Sequence, residues 1–571
     1  MVKQNGTENI GKVQHALGSG AVAYFTPEIG IEDSLHIYSG GLGILADSMS
    51  RAAEQSGMPF VVVSLLYRKG YYDQSIGWNE DFKKKWMGIS YTSRHYDDVL
   101  VDCGEVSVRL GGPNGADVFL RVWKLPKGTH GSSEVILLDA DIETNDALSR
   151  SNTFNLYASI DQGGNTDQRI VQDIILGIGG WKALRMLGYD VKICHLNEGY
   201  PWPTIIAQMQ EHLGNGLSID QAAILTREKT VFTTHTPVEA GNKKWPYDDV
   251  IRILGDERFN SVLYESSMNS VRGFNLTEFC LKHSHVSYAV AKKHGEVSRD
   301  MWKHLSEGAN ITHVTNGQDV KFWQHEDFAN ARTWQELAKA KLQHKRKLLA
   351  HIHEVHGVYF DESIPLVAFA RRFAGYKRPN LILDDMNWLS EQLGNNQLRL
   401  VFAGKPHPED RRMIQIWSDI LQLSDQHGGI AILPGYEISL MKLMKNGADV
   451  WLNNPEPPRE ASGTSGMGAA MNGALNLSTI DGWMVEEFEE APECFFPFGV
   501  PEIGNWDQQW IRDAASLRAV FEGEIWPMYR YRKDEWYEMA LIAKIRAEKR
   551  WSSLRMLDDC AAKVYLPAMN M

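Results

Sequence analysis

The chain has 571 residues, 43% of them apolar, and a formal net charge of −13. That length predicts more than one domain, and the acidic balance argues against a nucleic-acid or acidic-membrane surface, because such partners require clustered Lys and Arg. The chain has no apolar run of about 18 residues, so no membrane span is expected, and the first residues lack an apolar signal core. The five scattered cysteines, without metal-ligand spacing, predict reduced thiols in a cytoplasmic protein.

Strand-like and helix-like segments alternate along the first half of the chain. Residues 167–187 are predicted to be helical, whereas residues 89–124 carry the period-2 alternation of an antiparallel excursion, at 105–110 and 118–123. Short strands are predicted at residues 21–25, 60–66, 134–138, 190–196 and 230–234. This alternation indicates an α/β fold with a mainly parallel sheet.

A second α/β series follows a long amphipathic helix predicted at residues 333–356. Its strands are predicted at residues 364–369, 398–402, 430–433 and 449–452. We therefore expect two Rossmann-like domains, 1–326 and 327–520, facing a central cleft, with a helical segment 521–571 packing back on the first domain. Sheets of this kind bind ligands at the carboxyl ends of their strands.

Two segments of the first half could bind a ligand. Ser39-Gly40-Gly41-Leu42-Gly43 precedes a helix predicted to start near Ile44. Its glycines would let the backbone approach a phosphate, and the helix N-terminus offers free N–H groups. A plain turn explains such a pattern about as well as an anion site does. His235 follows the strand at 230–234, where it could meet a ligand, although a lone histidine is more often structural.

Two segments of the second half have the composition of a phosphate and sugar site. Residues 370–378 carry four cations directly after a predicted strand, and Arg and Lys both suit phosphate oxygens. Residues 460–473 are rich in small residues and offer hydroxyls at Ser462 and Thr464, and Glu460 could accept hydrogen bonds from sugar hydroxyls. A solvated basic turn and a structural loop are the respective alternatives.

These segments, in their order and in their residues, resemble the short-type α-glucan (glycogen) phosphorylases. The resemblance runs from about residue 20 to 485 and includes residues 23–30, 37–43, 66–71, 163–169, 195–199, 234–237, 315–317, 369–378, 402–405 and 451–482. It implies the two-domain GT-B fold and glucosyl transfer with retention of configuration. In that chemistry the departing phosphate acts as base, so preorganised cations matter more than a carboxylate.

The resemblance also assigns roles to individual residues. Arg372 and Lys377 would bind the reacting phosphate, and His235 would hydrogen-bond the C6 hydroxyl of the sugar; these three form the predicted catalytic set. Contacts to the donor phosphate are implied for Gly40, Gly41, Leu42, Gly43 and Thr464. Sugar contacts are implied for Asn316, Glu460, Ala461, Ser462 and Gly463. Tyr436, Gly466 and Met467 would line a cofactor or nucleotide pocket.

Four positions depart from the family pattern. Gly468 stands where the family has the lysine that forms a Schiff base with pyridoxal phosphate, and a glycine has no amine. Tyr200, Asn242 and Asp319 replace histidines on the acceptor side. We therefore expect no covalent cofactor and no metal, and the loss argues against pyridoxal phosphate while leaving non-covalent binding open.

Retention of the cation cluster without the cofactor lysine leads to a hypothesis. Volume freed at Gly468 could admit a nucleoside, which predicts a retaining transferase that uses a nucleotide-activated sugar and a small-molecule or saccharide acceptor. Two alternatives stay open. The first is an α-glucan phosphorylase that makes glucose 1-phosphate with non-covalent pyridoxal phosphate, and the second is an inactive carbohydrate-binding homologue. Relatives of this type often form homodimers.

Overall fold

The chain forms two compact units in a computed structural model that describes residues 7–80, 84–96, 98–157, 166–267 and 273–570. Unit 1 contains Met1–Tyr71, Tyr91–Thr315 and Ser553–Met571, and unit 2 contains Tyr72–Ser90 and Asn316–Ser552. Gly163 and Gly164, at the start of one family-like segment, lie outside the described residues.

This division differs from the predicted boundaries at residues 326 and 520. Residues 72–90 belong to unit 2 because they pack there: Lys405 Nζ donates to the Tyr72 carbonyl at 2.9 Å, and Met87 N donates to Ser418 Oγ at 3.1 Å. The tail is also shared, since most of the segment predicted as 521–571 belongs to unit 2 and only its last part to unit 1.

Unit 1 is built on a nine-stranded sheet, with the strands numbered along the whole chain. Its members are β1 (Ala21–Phe25), β2 (Phe60–Leu65), β5 (Val101–Leu110), β6 (Ala116–Leu125), β7 (Glu134–Asp139), β8 (Val191–Asn197), β9 (Thr230–Thr234), β12 (Val286–Ala289) and β13 (Thr312–His313). The order is β13-β12-β9-β8-β1-β2-β7-β6-β5, and a separate pair joins β10 (Lys244–Pro246) to β11 (Gly273–Asn275).

Seven of the nine strands, β13 to β7 in sheet order, pair in parallel. The antiparallel pairing of β5, β6 and β7 confirms the excursion predicted from period-2 alternation. Chain order reverses between β1 and β8, which makes the carboxyl ends of these two strands the topological switch point of unit 1.

Helices connect the parallel strands of unit 1, and the central strands β1, β2 and β9 are buried along their full length. The helices span Glu8–Leu17, Gly41–Ser56, Ala147–Ser151, Thr166–Ile174, Gly180–Met186, Pro203–Gly214, Ile219–Lys229, Tyr247–Leu254, Asn260–Glu265, Leu276–Lys282, Lys292–Met301, Ser553–Cys560 and Leu566–Ala568, with π-helical turns at Ile175–Gly179 and Ala561–Tyr565. The helix predicted at 167–187 is thus present but contains a π-turn.

Unit 2 is built on a six-stranded sheet that is parallel throughout. Its strands are β14 (Leu366–Ala370), β15 (Arg399–Ala403), β16 (Ile430–Leu433), β17 (Val450–Asn453), β18 (Leu475–Ser478) and β19 (Phe496–Pro497), in the order β16-β15-β14-β17-β18-β19. This is the doubly wound order, with its switch point between β14 and β17. A hairpin of β3 (Asp73–Trp78) and β4 (Lys85–Ser90) also belongs to the unit.

The helices of unit 2 include the long one predicted before the second series. It spans Trp334–His356, and its capping box joins Thr333 to Glu336, as the Thr-x-x-Glu spacing favours. The others span Val320–Trp323, Glu326–Asn330, Met386–Gly394, Arg411–Gln426, Ile438–Gly447, Ser465–Met471, Met484–Glu490, Trp506–Val520, Trp526–Tyr531 and Lys533–Arg550, with a π-turn at Phe521–Ile525. Among the helices described here, none combines the length and apolar character needed to cross a bilayer.

The α/β fold class is confirmed, since large parallel sheets with helical crossovers form both units. The strands predicted for the two parallel series are found within two residues at each end, whereas the alternating stretch 105–110 lies in a strand that begins four residues earlier, at Val101. All five cysteines are free, and four of them are buried.

Candidate active site

The switch point of unit 2 brings two sequence-distant segments together. β14 ends at Ala370 and runs into the basic segment, while β17 ends at Asn453 and leads to Glu460. Glu460 Oε2 lies 2.5 Å from Arg371 Nη2 and 2.5 Å from Lys377 Nζ. All three residues are buried, so the sheet topology concentrates ionic groups at its ligand-binding edge.

The cations of this cluster control the charge of Glu460. Burial alone would raise the pKa of its carboxyl, but Coulomb attraction and hydrogen bonds from Lys377 and Arg371 lower the pKa to about 2. The neighbouring Asp481 accepts a hydrogen bond from Glu460 N at 2.8 Å, and burial raises its pKa to about 8. Glu460 is therefore ionised at neutral pH, whereas Asp481 is largely protonated.

Several buried polar atoms at this edge lack a hydrogen-bond partner among the described residues. They are Arg371 Nη1, Ser462 Oγ and Asn454 Oδ1. An unpaired buried donor or acceptor is costly and rare in folded proteins, so such a group calls for an explanation. A ligand rich in oxygen atoms and hydroxyl groups, such as a phosphate and a sugar, would satisfy all three.

Arg378 fixes the loop that carries these groups. Its guanidinium donates to the Asn454 and Pro455 carbonyls, both at 2.9 Å, and to Asp513 Oδ2 at 2.7 Å. Its backbone has a φ of +50°, which is uncommon outside glycine. The fourth cation of the basic segment is thus a structural clamp rather than a ligand-binding group.

Gly468 lies in the short helix Ser465–Met471, and the space beside it is filled. A Cβ built on Gly468 would lie 2.3 Å from Gln318 Oε1 and 3.0 Å from Lys445 Nζ. The expectation that loss of a lysine opens volume here is therefore wrong for the immediate surroundings of the backbone. The neighbouring Met467 is fully buried in an apolar cluster with Trp483 and Trp551.

The remaining predicted pocket residues of unit 2 are also tied into the fold. Tyr436 donates its hydroxyl to the Ala370 carbonyl at 2.5 Å, at the end of β14. Thr464 occupies the N-cap position of the short helix without a side-chain capping hydrogen bond. Gly463, with a φ of +75°, lies against Arg371, and its Cβ position is 3.4 Å from Nη2. This left-handed backbone conformation favours glycine.

The switch point of unit 1 assembles a different set of groups. His235 follows β9, and its Nε2 lies 2.6 Å from Asn197 Oδ1 at the end of β8. Glu198, with a φ of +69°, accepts a hydrogen bond from His235 N at 2.8 Å. Burial lowers the pKa of His235 to about 3 and raises that of Glu198 to about 7. The imidazole is therefore neutral and can exchange hydrogen bonds with a hydroxyl.

The glycine-rich segment is held by an internal carboxylate. Glu28, which follows β1, accepts hydrogen bonds from Ser39 N at 2.5 Å, Gly40 N at 3.3 Å and the Tyr157 hydroxyl at 2.8 Å. A Cβ on Gly40 or Gly41 would meet no atom within 4 Å, whereas one on Gly43 would lie 2.7 Å from Tyr38 Cβ. Gly43 thus serves packing, and the two preceding glycines leave the start of helix Gly41–Ser56 open.

Two of the predicted acceptor-side residues, Tyr200 and Asn242, lie in unit 1, and the third, Asp319, lies in unit 2. Asn242 is buried in unit 1 and accepts from Thr277 Oγ1 at 2.9 Å, and Tyr200 packs its ring against Tyr157 with centroids 5.6 Å apart. Asp319 is a helix cap in unit 2, accepting from Phe322 N at 2.8 Å. Asn316, at the first position of unit 2, is buried.

Comparison with known proteins agrees with this geometry. A profile of the carbohydrate phosphorylases matches residues 305–516, which contain the cation cluster, Glu460 and Gly468. The chain is 32% identical to a maltodextrin phosphorylase of Thermococcus litoralis, over 96% of this chain and 71% of that protein. It is 30% identical to a glycogen phosphorylase of Aquifex aeolicus, over 95% and 86% of the two chains. The chain belongs to the glycogen phosphorylase family.

An uncharacterized protein of Methanocaldococcus jannaschii is 36% identical over 84% of this chain and 88% of its own length. The family resemblance inferred from the ordered motifs is therefore confirmed, and with it a glycosyl-transferring enzyme class. Membership does not by itself fix the donor, because function depends on the site.

Three charged residues at the two switch points were not among the predicted site residues. Arg371 was part of the basic segment, but the resemblance pointed to its exposed neighbour Arg372. Glu198 was part of the family-like segment 195–199, and Asp481 of 451–482. The sequence signal was present in each case, but the burial that perturbs their charge depends on tertiary packing.

Proposed function

We propose that the chain transfers a glucosyl group reversibly between an α-glucan and inorganic phosphate, with glucose 1-phosphate as the phosphorylated product. The observation that carries this proposal is the buried cluster at the unit 2 switch point. Arg371, Lys377 and Glu460 form ion pairs there, while Arg371 Nη1 keeps an unfilled donor. Arg and Lys together suit a tetrahedral oxyanion.

The groups of this cluster divide naturally between phosphate and sugar. Arg371 and Lys377 carry two positive charges against one negative charge on Glu460, so the cluster keeps an excess of positive charge for an anion. Glu460 and Ser462 offer oxygens to sugar hydroxyls. Fixed cations stabilise charge as it develops on a departing or attacking phosphate without reorganisation, which supplies the catalytic effect this reaction needs.

A neutral histidine fits the same chemistry in unit 1. With its pKa lowered to about 3, His235 carries no charge at neutral pH and can hydrogen-bond a sugar hydroxyl, the role that the family resemblance gives it. Its backbone N–H is held by Glu198 and its ring by Asn197, so the imidazole is oriented before any ligand arrives.

This proposal replaces transfer from a nucleotide-activated sugar as the leading hypothesis. The named relatives are glycogen and maltodextrin phosphorylases, and the space next to Gly468 is occupied by Gln318 and Lys445. A silent carbohydrate-binding homologue is disfavoured because the cluster keeps two buried cations, Arg371 and Lys377, which suit a phosphate and which sugar hydroxyls alone do not require. The homodimer and the cytoplasmic location remain predictions.

Pyridoxal phosphate, the family's cofactor, would supply a second phosphate beside the reacting one. The unpaired donor on Arg371 would suit either phosphate, whereas the immediate surroundings of Gly468 are filled by Gln318 and Lys445. Gly468 gives no amine to anchor it, so its mode of binding has to come from other residues.

The deciding experiment compares donors directly. Purified protein is incubated with maltodextrin and inorganic phosphate, with and without added pyridoxal phosphate, and glucose 1-phosphate is measured; parallel samples contain UDP-glucose or ADP-glucose with maltodextrin. Phosphate-dependent release of glucose 1-phosphate supports the proposal. Release of UDP or ADP without any phosphorolysis would contradict the proposal and favour a transferase that uses a nucleotide-activated sugar. No turnover with any donor would favour the inactive carbohydrate-binding homologue.

A further inference from the structure

Three side chains of unit 2 that can ligate a metal come together outside the ionic cluster. His325 is the N-cap of the short helix Glu326–Asn330, which contains Asp327, and His344 lies on the long helix Trp334–His356. One nitrogen or oxygen atom of each side chain lies within 4.8 Å of the others. His325 and His344 are 19 positions apart in the chain, so folding is needed to bring the two imidazoles together.

Two ring nitrogens of this group meet one carboxylate oxygen. His344 Nε2 lies 2.8 Å from Asp327 Oδ2, and His325 Nδ1 lies 3.4 Å from the same oxygen. The two imidazole rings pack edge to face, with their centroids 4.2 Å apart. The side chains of His325 and Asp327 are 35% and 36% exposed, so an ion from solvent can reach the three donors.

The contact between His325 and Asp327 is unfavourable without a cation. His325 Nδ1 accepts a hydrogen bond from Asp327 N at 3.2 Å, so this nitrogen carries a lone pair and no proton. The same nitrogen faces the Asp327 carboxylate oxygen at 3.4 Å, and two acceptors that face each other repel. Protonation of Nδ1 would remove the repulsion only by breaking the helix cap. A metal ion bound by both atoms removes it by attraction.

The spacing of the donors suits a tetrahedral zinc ion. Zinc binds imidazole nitrogen and carboxylate oxygen at about 2.0–2.2 Å, so neighbouring ligand atoms of a tetrahedral site are about 3.4 Å apart. His325 Nδ1 and Asp327 Oδ2 already have that separation, and His344 Nε2 has to move away from Oδ2 by only about 0.6 Å. On ligation His344 takes the tautomer with its proton on Nδ1, so that Nε2 offers a lone pair.

A cavity of unit 2 adjoins the group and contains an unpaired polar atom. His325 lines this cavity of about 580 Å³ together with Gln324, Glu326 and Asn446. Asn446 is 9% exposed, and in the part of the chain that the structure describes its side-chain oxygen has no hydrogen-bond partner. A buried acceptor of this kind calls for a donor, and a water molecule polarised by a metal ion is a strong one.

We propose that His325, Asp327 and His344 bind a divalent transition-metal ion of the zinc type, with water as the fourth ligand. Two imidazoles and one carboxylate suit zinc, whereas Mg²⁺ and Ca²⁺ prefer oxygen ligands. The ion joins the helix Glu326–Asn330 to the helix Trp334–His356 and thereby stabilises unit 2. This proposal replaces the expectation of no metal, and it does not depend on the proposed function.

The test is the binding of zinc itself. Full-length protein without a histidine tag is freed of metal with a chelator, dialysed, and titrated with Zn²⁺ in competition with a chromophoric chelator. Co²⁺ in place of Zn²⁺ reports the coordination geometry by its absorbance. We expect one Zn²⁺ per chain, the intense visible bands of tetrahedral Co²⁺, and a higher melting temperature with zinc. Absence of stoichiometric zinc, or only the weak bands of octahedral Co²⁺, overturns the proposal.

His325→Asn is the main variant, because asparagine is a good N-cap and keeps the start of the helix while removing the imidazole. It should weaken zinc binding by more than about 100-fold, since even residues that only orient a ligand are worth about 10–100-fold. His351→Asn is the matched control: this histidine lies on the same long helix, beside Glu354, and its loss should leave zinc binding unchanged.

Asp327→Asn separates ligation from a purely structural hydrogen bond. The amide oxygen still accepts from His344, but it carries no charge for the ion. The variant should therefore keep the melting temperature of the metal-free protein and lose the increase that zinc gives. Equal zinc affinity in wild type, His325→Asn and Asp327→Asn would place the ion elsewhere and contradict the assignment.

Discussion

The two units have the same kind of topological switch point but carry opposite electrostatics there. In unit 2, Glu460 lies between Arg371 and Lys377, and its pKa falls to about 2. In unit 1, Glu198 lies against backbone N–H groups and a neutral His235, and burial raises its pKa to about 7. One carboxylate is held ionised by cations, and the other is held near neutrality by desolvation.

This difference shows that fold alone does not place the anion site. Both units offer strand carboxyl ends at a reversal of strand order. Among the described residues, the edge in unit 2 carries the buried cations Arg371 and Lys377, and Arg371 Nη1 has no hydrogen-bond partner. In unit 1 the amides of the glycine-rich segment already donate to Glu28. The phosphate chemistry of the chain is therefore assigned to unit 2, and the predictions below test that division.

The largest expected effect comes from removing a cation of unit 2. Lys377→Ala and Arg372→Ala should each lower phosphate-dependent turnover by about 10²–10³-fold, the size expected when a preorganised charge is lost from a transition state. Initial rates at saturating phosphate measure it. As a control, Arg532→Ala removes an exposed ion pair with Glu535 and should leave turnover unchanged. Normal rates in both cation variants would contradict the assigned phosphate role.

A second prediction concerns the clamp that supports the unit 2 site. Arg378→Met removes a buried guanidinium that binds Asp513 and two loop carbonyls, leaving Asp513 as an unpaired buried charge. Breaking one partner of a buried pair costs about 3–5 kcal/mol, so the free energy of unfolding should fall by that amount. Urea denaturation measures it. A loss below about 1 kcal/mol would show that the loop does not depend on this residue.

The elements of both units could be predicted because their signals are local. Parallel strands that are buried on both faces consist of short apolar runs, which are recognisable in the sequence. The helix Trp334–His356 begins with a capping box, which the spacing of Thr333 and Glu336 predicts. The unit boundaries could not be predicted in this way. The hairpin at 72–90 belongs to unit 2 through contacts with residues more than 300 positions away, such as Lys405 and Ser418.

The candidate site was predictable in its motifs but not in its pairings. The basic segment and Glu460 were both recognised, yet nothing in the sequence says that Glu460 pairs with Arg371 rather than with Arg372. The proximity of Lys445 to Gly468 is likewise not visible in the sequence, because these residues are 23 positions apart on two helices that must pack before the contact exists. The pKa shifts of these groups follow from their burial, and the periodicity of the sequence does not give the extent of that burial.

A third prediction uses the raised pKa of Glu198. Between its ordinary value of 4.5 and about 7, the folded state holds a proton that the unfolded state has lost, so this group makes stability fall as pH rises through that window. Glu198→Gln removes the titration. The difference in unfolding free energy between variant and wild type should therefore grow in favour of the variant, by on the order of 3 kcal/mol from pH 4.5 to 7.

The corresponding carboxylate of unit 2 has the opposite effect on the pH dependence of stability. Glu460, with its pKa lowered to about 2, adds stability above pH 4.5 that is lost as pH falls toward 2. A difference in unfolding free energy between Glu198→Gln and wild type that stays constant between pH 4.5 and 7 would contradict the comparison of the two units. Chemical denaturation at a series of pH values gives both profiles, and Glu211→Gln, a half-exposed carboxylate of unit 1, serves as the control.

The last prediction concerns Gly41, where we expect the smallest effect on stability. A Cβ there meets no atom within 4 Å, and alanine is preferred over glycine inside a helix by about 0.5–1 kcal/mol, so Gly41→Ala should fold as well as or slightly better than wild type. Gly43→Ala should lose about 1–3 kcal/mol, because its Cβ would lie 2.7 Å from Tyr38 Cβ and 2.9 Å from Glu28 Oε2.

The rate of phosphorolysis then distinguishes a glycine that lets a donor approach from a glycine that serves only packing. If the open start of helix Gly41–Ser56 approaches a donor, the methyl group of Gly41→Ala should lower the rate of phosphorolysis although the protein is fully stable. A rate equal to that of wild type would show that unit 1 keeps this segment for its own packing around Glu28. The donor contacts would then come from other residues, and the glycine-rich segment would have no catalytic part.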